Sequence, residues 1–258
     1  MKINPRCSYC LLSRVHYQSH LVTDDLSLIH RVMKECMSTL SEEYDPSKTS
    51  TAVGTAVHRK CFEVLQNQDP YHEVKKLNTK TALEILPAVQ KMIYGENEKG
   101  SAYTAESSPR PLNEIFEKAI LAAVIGNYFD FGVMGMEASD EDFKHKFAVY
   151  FEKGLDINET DEMMKHLQKV VYITDNCGEL VFDREVLKVI KRIQKEQHET
   201  EKKTNPSAVL PELILIVRGA PILTDATLKD AYDLGMEKIV DQILTTGSNA
   251  VGIILNEA

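Results

Sequence analysis

KVVYITDNCGELVFDREVL, residues 169–187, changes its hydrophobic period partway along. The opening KVVYIT (169–174) is a short run rich in β-branched and apolar residues, suited to an interior strand covered on both faces. Farther on, Val186, Leu187, Ile190 and Ile193 recur at helical spacing, with Asp183 placed as an N-cap and Phe182 and Leu187 as a hydrophobic staple. Between the two lies Thr174-Asp175-Asn176-Cys177-Gly178-Glu179, a polar turn at the carboxyl end of a strand.

Downstream, the charged stretch 194–208 reads as the helix fading into a solvated turn, and LILIVR (213–218) repeats the strand pattern. A helix from about Ala226 to Leu234 and two strand segments at 240–244 and 250–255 follow. Strands alternating with helices predict a parallel sheet with right-handed crossovers. Upstream the chain reads as helical. Apolar residues keep helical spacing over 25–40, 51–66 and 79–94, and again from about Asn113. The Gly-, Ser- and Pro-rich stretch 95–112 reads as an exposed loop. The expected fold is α/β: a helical N-terminal region (1–111) and a Rossmann-like three-layer α/β/α core with a parallel sheet (112–258).

Bulk properties narrow the function. The 258 residues suffice for a sizeable core, and 43% apolar with 27% charged residues is ordinary for a globular chain. A net charge of −9 argues against nucleic acid or an anionic membrane as partner, since either needs a clustered basic face. Only Cys10, Leu11 and Leu12 form an apolar run near the N-terminus, too short for a signal peptide, and no segment has membrane-spanning length. Five cysteines, an odd number, favour a reducing cytoplasm over a disulfide framework.

Ligands of open parallel sheets bind outside the carboxyl ends of the strands. Two adjacent strands would bring Asp175 and Asn176 from one loop and Asp225 from the next into one crevice. Two carboxylates and a carboxamide are hard oxygen donors suited to Mg²⁺ or Mn²⁺, and the helix starts after Asp183 and Asp225 offer N–H groups to a phosphate. Asp and Asn after a strand are equally turn and cap residues, so spacing alone leaves both readings open.

The runs YITDNCGELVFDREVL (172–187), VRGAPILTDATLKDA (217–231) and TTGSNAVGI (245–253) resemble the damage-control phosphatase family. CSYC (7–10), DPYHEVKK (69–76) and GNYFDFG (126–132) resemble its archaeal-type branch with an N-terminal Cys-x-x-Cys. The resemblance implies a metal-dependent phosphatase of small phosphorylated metabolites, such as sugar phosphates, using Mn²⁺, Ni²⁺, Co²⁺ or Mg²⁺. Its ligand set falls on Asp175, Asn176 and Asp225, with Asp175 also a catalytic candidate. Its Gly-Asn-x-x-Asp motif falls on Gly126, Asn127 and Asp130, making Asn127 and Asp130 catalytic and substrate-binding candidates. Gly247 and Ser248 are carried with them on the substrate side.

Two departures stand out: Thr224 occupies a position where the family has Asn, and the sequence stops at Ala258, without the family's Lys-Gly-rich segment, whose lysine the resemblance places to neutralise the substrate phosphate. Arg218 is the nearest basic candidate to meet the phosphate in its place. Two other classes remain open. A carboxyl methyltransferase would need an adenosine-sized pocket, and no Gly-x-Gly-x-x-Gly loop follows the first strand; a non-catalytic metal or phosphometabolite-binding module is the other.

Several residues have blander readings. Gly126 can end its helix with Asn127 as cap. Cys7, Cys10, His16 and His20 (C-x-x-C-x₅-H-x₃-H) fit packing, metal binding or redox chemistry. Cys177 and the methionines Met134, Met136, Met163 and Met164 read as packing residues, and His145 and His198 as solvated. Tyr71 and Lys75 either reach the pocket or belong to a helix start marked by Asp69-Pro70.

Overall fold

The computed structural model describes residues 1–128 and 140–257. Its helices are α1 (Pro5–Val22), α2 (Leu26–Glu43), α3 (Ser50–Leu65), α4 (His72–Tyr94), α5 (Leu112–Tyr128), α6 (Asp140–Lys153), the short α7 (Thr160–Met163), α8 (Leu180–Lys202) and α9 (Leu228–Asp233). Three strands, β1 (Lys169–Ile173), β2 (Glu212–Val217) and β3 (Gln242–Thr245), form one sheet in the order β1-β2-β3. β1 and β2 pair in parallel, from Lys169 opposite Glu212 to Ile173 opposite Ile216. The α/β class holds.

The chain divides into two compact units. The first comprises residues 1–73, 218–223 and 245–258; the second comprises 74–217 and 224–244. This partition differs from a single cut near residue 111, because most of α4 packs with the sheet-bearing part. In the first unit, α1, α2 and α3 bury Val15, Val32, Cys36, Val53, Val57 and Cys61 against one another. The stripe on α2 (Ile29, Val32, Cys36, Leu40) is the face the periodicity marked. The chain ends are tied in: Arg59 grips the Glu257 carboxylate through both terminal nitrogens, and the Val251 N–H donates to Thr55 Oγ1 at 3.0 Å.

The core of the second unit runs through α4, α5, α8 and β2. Gly126 lies inside α5, not at its end. A Cβ there would come within 2.5 Å of Phe182 Cδ2, so the missing side chain lets α8 approach.

Several local expectations change. Helix α8 begins at Leu180, so Asp183 is not its cap; Asp183 sits within the first turn and is buried. The cap function falls to Asn176, whose Oδ1 accepts the Glu179 N–H at 2.8 Å. α8 also continues to Lys202, through much of the stretch read as a turn, because that face is satisfied by water and ion pairs such as Arg192–Glu196. β1 exposes one face, with Val171 and Ile173 51% and 63% accessible, where its apolar run had suggested cover on both sides. Residues 250–255 form no strand; Ile253 and Leu255 stand exposed. Among the described residues no helix is long and apolar enough to cross a membrane.

Candidate functional site at the carboxyl ends of the strands

The loops after β1 and before α9 are joined by their backbones. Asn176 and Asp225 pair in a single antiparallel bridge. The Cys177 N–H donates to Thr224 O at 2.9 Å, and the Ala226 N–H to Asp175 O at 2.7 Å. These bonds fix three consecutive residues of one loop against three of the other. The backbones of Asp175, Asn176 and Asp225 are therefore neighbours at this junction. Thr224, buried, contributes its backbone carbonyl to this junction.

Asn127 reaches the same place from the last turn of α5. Its Nδ2 donates to Asp175 Oδ2 at 2.8 Å and to Glu179 Oε2 at 2.7 Å. An amide NH₂ group shared between two carboxylates offsets their repulsion and holds the two near each other. Asn127 is thus neither a cap nor a spectator. Glu179 was missed as a site residue, although a signal existed. Asn176-x-x-Glu179 is the spacing at which an Asx side chain captures a backbone N–H at a helix start, which places the Glu179 carboxylate beside its own cap.

Behind this layer Tyr172 donates its hydroxyl to Asp183 Oδ1 at 2.6 Å, while the buried Asp183 Oδ2 has no hydrogen-bond partner among the described residues. Burial, then the nearby Glu179 carboxylate, pushes the Asp183 carboxyl well above the usual carboxylate range; the Tyr172 hydrogen bond opposes this, and the charge of Asp175 adds to it. Burial and the charge of Asp183 likewise push the Tyr172 phenol up.

The idea that helix starts serve a phosphate is corrected. The N–H groups from Glu179 to Asp183 all have protein acceptors: Asn176 Oδ1, Asn176 O, Gly178 O, and Glu179 O twice. α9 is a six-residue helix whose start is occupied by its own capping box of Thr227 and Asp230. Lys75, read as a possible pocket residue, is instead buried and ion-paired with Asp230 at 2.7 Å. Cys177 is a buried core residue, as expected.

Arg218, Gly247 and Ser248 belong to the first unit. Arg218 Nη2 donates to Val251 O at 3.1 Å. Gly219 lies so close to the Gly247–Ser248 backbone that a Cβ would collide with it, and Gly247 itself has φ of 85°. The Ser248 hydroxyl accepts the Ala250 N–H at 3.3 Å. Asp130, Met134 and Met136 lie outside the described residues. His145 is exposed, whereas His198 is half-buried and its Nδ1 has no partner among the described residues.

Comparison with known proteins bears on this geometry. A family model described as the damage-control phosphatase ARMT1-like domain matches residues 3–258. A damage-control phosphatase of Archaeoglobus fulgidus is 37% identical over all of this chain and 78% of its own length. An uncharacterized protein of Methanocaldococcus jannaschii, MJ0202, is 30% identical over all of this chain and 75% of its own. A crystal structure of a DUF89 family protein from Pyrococcus horikoshii, PH1575, superposes with a TM-score of 0.76 at 24% identity, covering all of this chain and 78% of that one. By sequence over nearly its whole length, the chain belongs to the damage-control phosphatase ARMT1-like family.

Proposed function

We propose that this chain hydrolyses the phosphomonoester of a small metabolite, using a divalent cation held by Asp175, Asn176 and Asp225. The observation supporting the proposal is the backbone junction between residues 175–177 and 224–226, beside which Asn127 donates to the Asp175 and Glu179 carboxylates. The donor chemistry fits: two carboxylates and a carboxamide oxygen are hard ligands, and three protein donors leave positions for water and substrate. Mn²⁺, Ni²⁺, Co²⁺ or Mg²⁺ suits such a set. A bound cation would polarise a phosphoryl oxygen toward attack by water.

The protein's own groups supply the rest. Asn176 is held by the bond from the Glu179 N–H, so its orientation does not have to be won on binding. Asn127 steadies Asp175 and Glu179, and is exposed enough to meet a phosphate oxygen. With Asp130, three residues further on, it positions substrate or water.

The test is p-nitrophenyl phosphate hydrolysis by metal-stripped protein, with each cation restored singly, beside Asp175→Asn and Asp225→Asn. We expect turnover that requires added metal and disappears in both variants. Metal-independent turnover, or turnover retained in both variants, would overturn the proposal.

A further inference from the structure

Helix α1 carries the ligating residues the sequence grouped as C-x-x-C-x₅-H-x₃-H, and the helix separates them. Six residues of α-helix place His16 roughly 120° around the axis and about 9 Å along it from Cys10. The two pairs cannot close on one ion. Cys7 is also committed to the helix start, where its Sγ accepts the Asn4 N–H at 3.3 Å and completes a capping box.

His16 and His20 remain as a pair one turn apart, both exposed. Their Nε2 atoms are 3.3 Å apart, with ring centroids 4.6 Å apart and ring planes inclined at 66°. That spacing has a chemical meaning. A tetrahedral ion with metal–nitrogen bonds of about 2.0–2.1 Å sets two imidazole nitrogens about 3.3–3.4 Å apart, whereas neighbouring octahedral positions would need about 2.9 Å. Separation by four residues is also what lets two histidines on one helix share an ion.

We propose that His16 and His20 form a surface chelate for Zn²⁺, separate from the oxygen site of the α/β unit. Among the described residues no cluster of three His, Cys, Asp or Glu side chains capable of holding a metal occurs, so water completes the shell. Such a site exchanges its ion and does not clamp the fold as a closed four-ligand zinc site does. Imidazole suits Zn²⁺ and not Mg²⁺, whereas an all-oxygen set accommodates Mg²⁺ as well.

Calorimetric titration of the full-length chain with Zn²⁺ alone tests this, with Co²⁺ absorption as a check on tetrahedral geometry. His16→Ala and His20→Ala should each remove one equivalent of bound Zn²⁺ while circular dichroism stays unchanged. The paired Cys7→Ser, Cys10→Ser variant and the paired Asp175→Asn, Asp225→Asn variant should both keep that equivalent, and Mg²⁺ should not fill it. An unchanged stoichiometry in either histidine variant, or loss of the same equivalent with the cysteines, would overturn the proposal. Because no arm reads turnover, its failure is distinguishable from failure of the phosphatase reading.

Discussion

His58 in the helical unit and Asp183 in the α/β unit are both almost fully buried, and burial drives each toward neutrality from opposite sides. His58 keeps one partner, Gln18 Oε1 at 3.3 Å, and burial followed by the charge of Arg14 lowers its pKa from 6.5 to about 4. Asp183 is raised, by burial first and then by the carboxylates of the site. The first lies on α3 among the buried residues of the helical unit. The second lies directly behind Asp175 and Glu179, where another fixed negative charge would be most costly. Polar groups that look alike by burial therefore differ in pH response, and the difference follows from what surrounds them.

The largest expected effect tests whether the α/β unit depends on one contact. Phe182 fills the space left by Gly126 and meets the Phe147 ring at 5.5 Å between centroids. Phe182→Ala should cost about 3–5 kcal/mol, the usual result of removing a buried aromatic ring. Hydrogen exchange should show the loss in α5 and α8 and not in α2 and α3; equal loss in all four would mean the two units unfold as one.

A smaller effect sharpens the comparison from the helical side. The depressed pKa of His58 means the unfolded chain takes up a proton more readily than the folded one. Its contribution is present above pH 6.5 and is lost as the pH falls from 6.5 toward 4. A shift of this size corresponds to roughly 3 kcal/mol. Denaturant unfolding of the native chain should weaken across that window, and His58→Gln should flatten the dependence. A slope unchanged by the substitution would assign the acid sensitivity to other groups.

The smallest effect runs the other way. A raised carboxyl contributes stability below its unfolded pKa and loses it as the pH rises through the folded one. Asp183→Asn keeps an acceptor for the Tyr172 hydroxyl and cannot ionise. Its melting temperature should gain on the native protein as the pH is raised. A gap that does not widen with pH would mean Asp183 is already charged at the lower end.

How far the sequence reveals this depends on where information is local. α2 and α3 were legible because a repeating apolar face is written every three or four residues, and the loop at 95–112 because Gly, Ser and Pro cluster there. That the loops carrying Asp175, Asn176 and Asp225 adjoin was legible from the strand ends. Long-range geometry was not. Whether Val171 faces protein or water depends on what lies across the sheet, and Asp183 passed for a cap because an Asp before an apolar stripe looks the same buried or exposed. Lys75 could not be foreseen as buried, since its partner Asp230 is 155 residues away. Glu179 was overlooked although its signal, the Asn three positions earlier, was local.

The helical unit takes its first 73 residues from one end of the chain and its closing segment from the other. The contact between Arg59 and Glu257 spans 198 residues. On a ribosome adding roughly 5–20 residues per second, Arg59 waits about 10–40 s for that partner to be made. During this interval α1, α2 and α3 can form and meet, because their contacts are near in sequence, but the face awaiting residues 245–257 stays open. The unit can close only after residues 245–257 have emerged, and until then its three helices are exposed to misassembly.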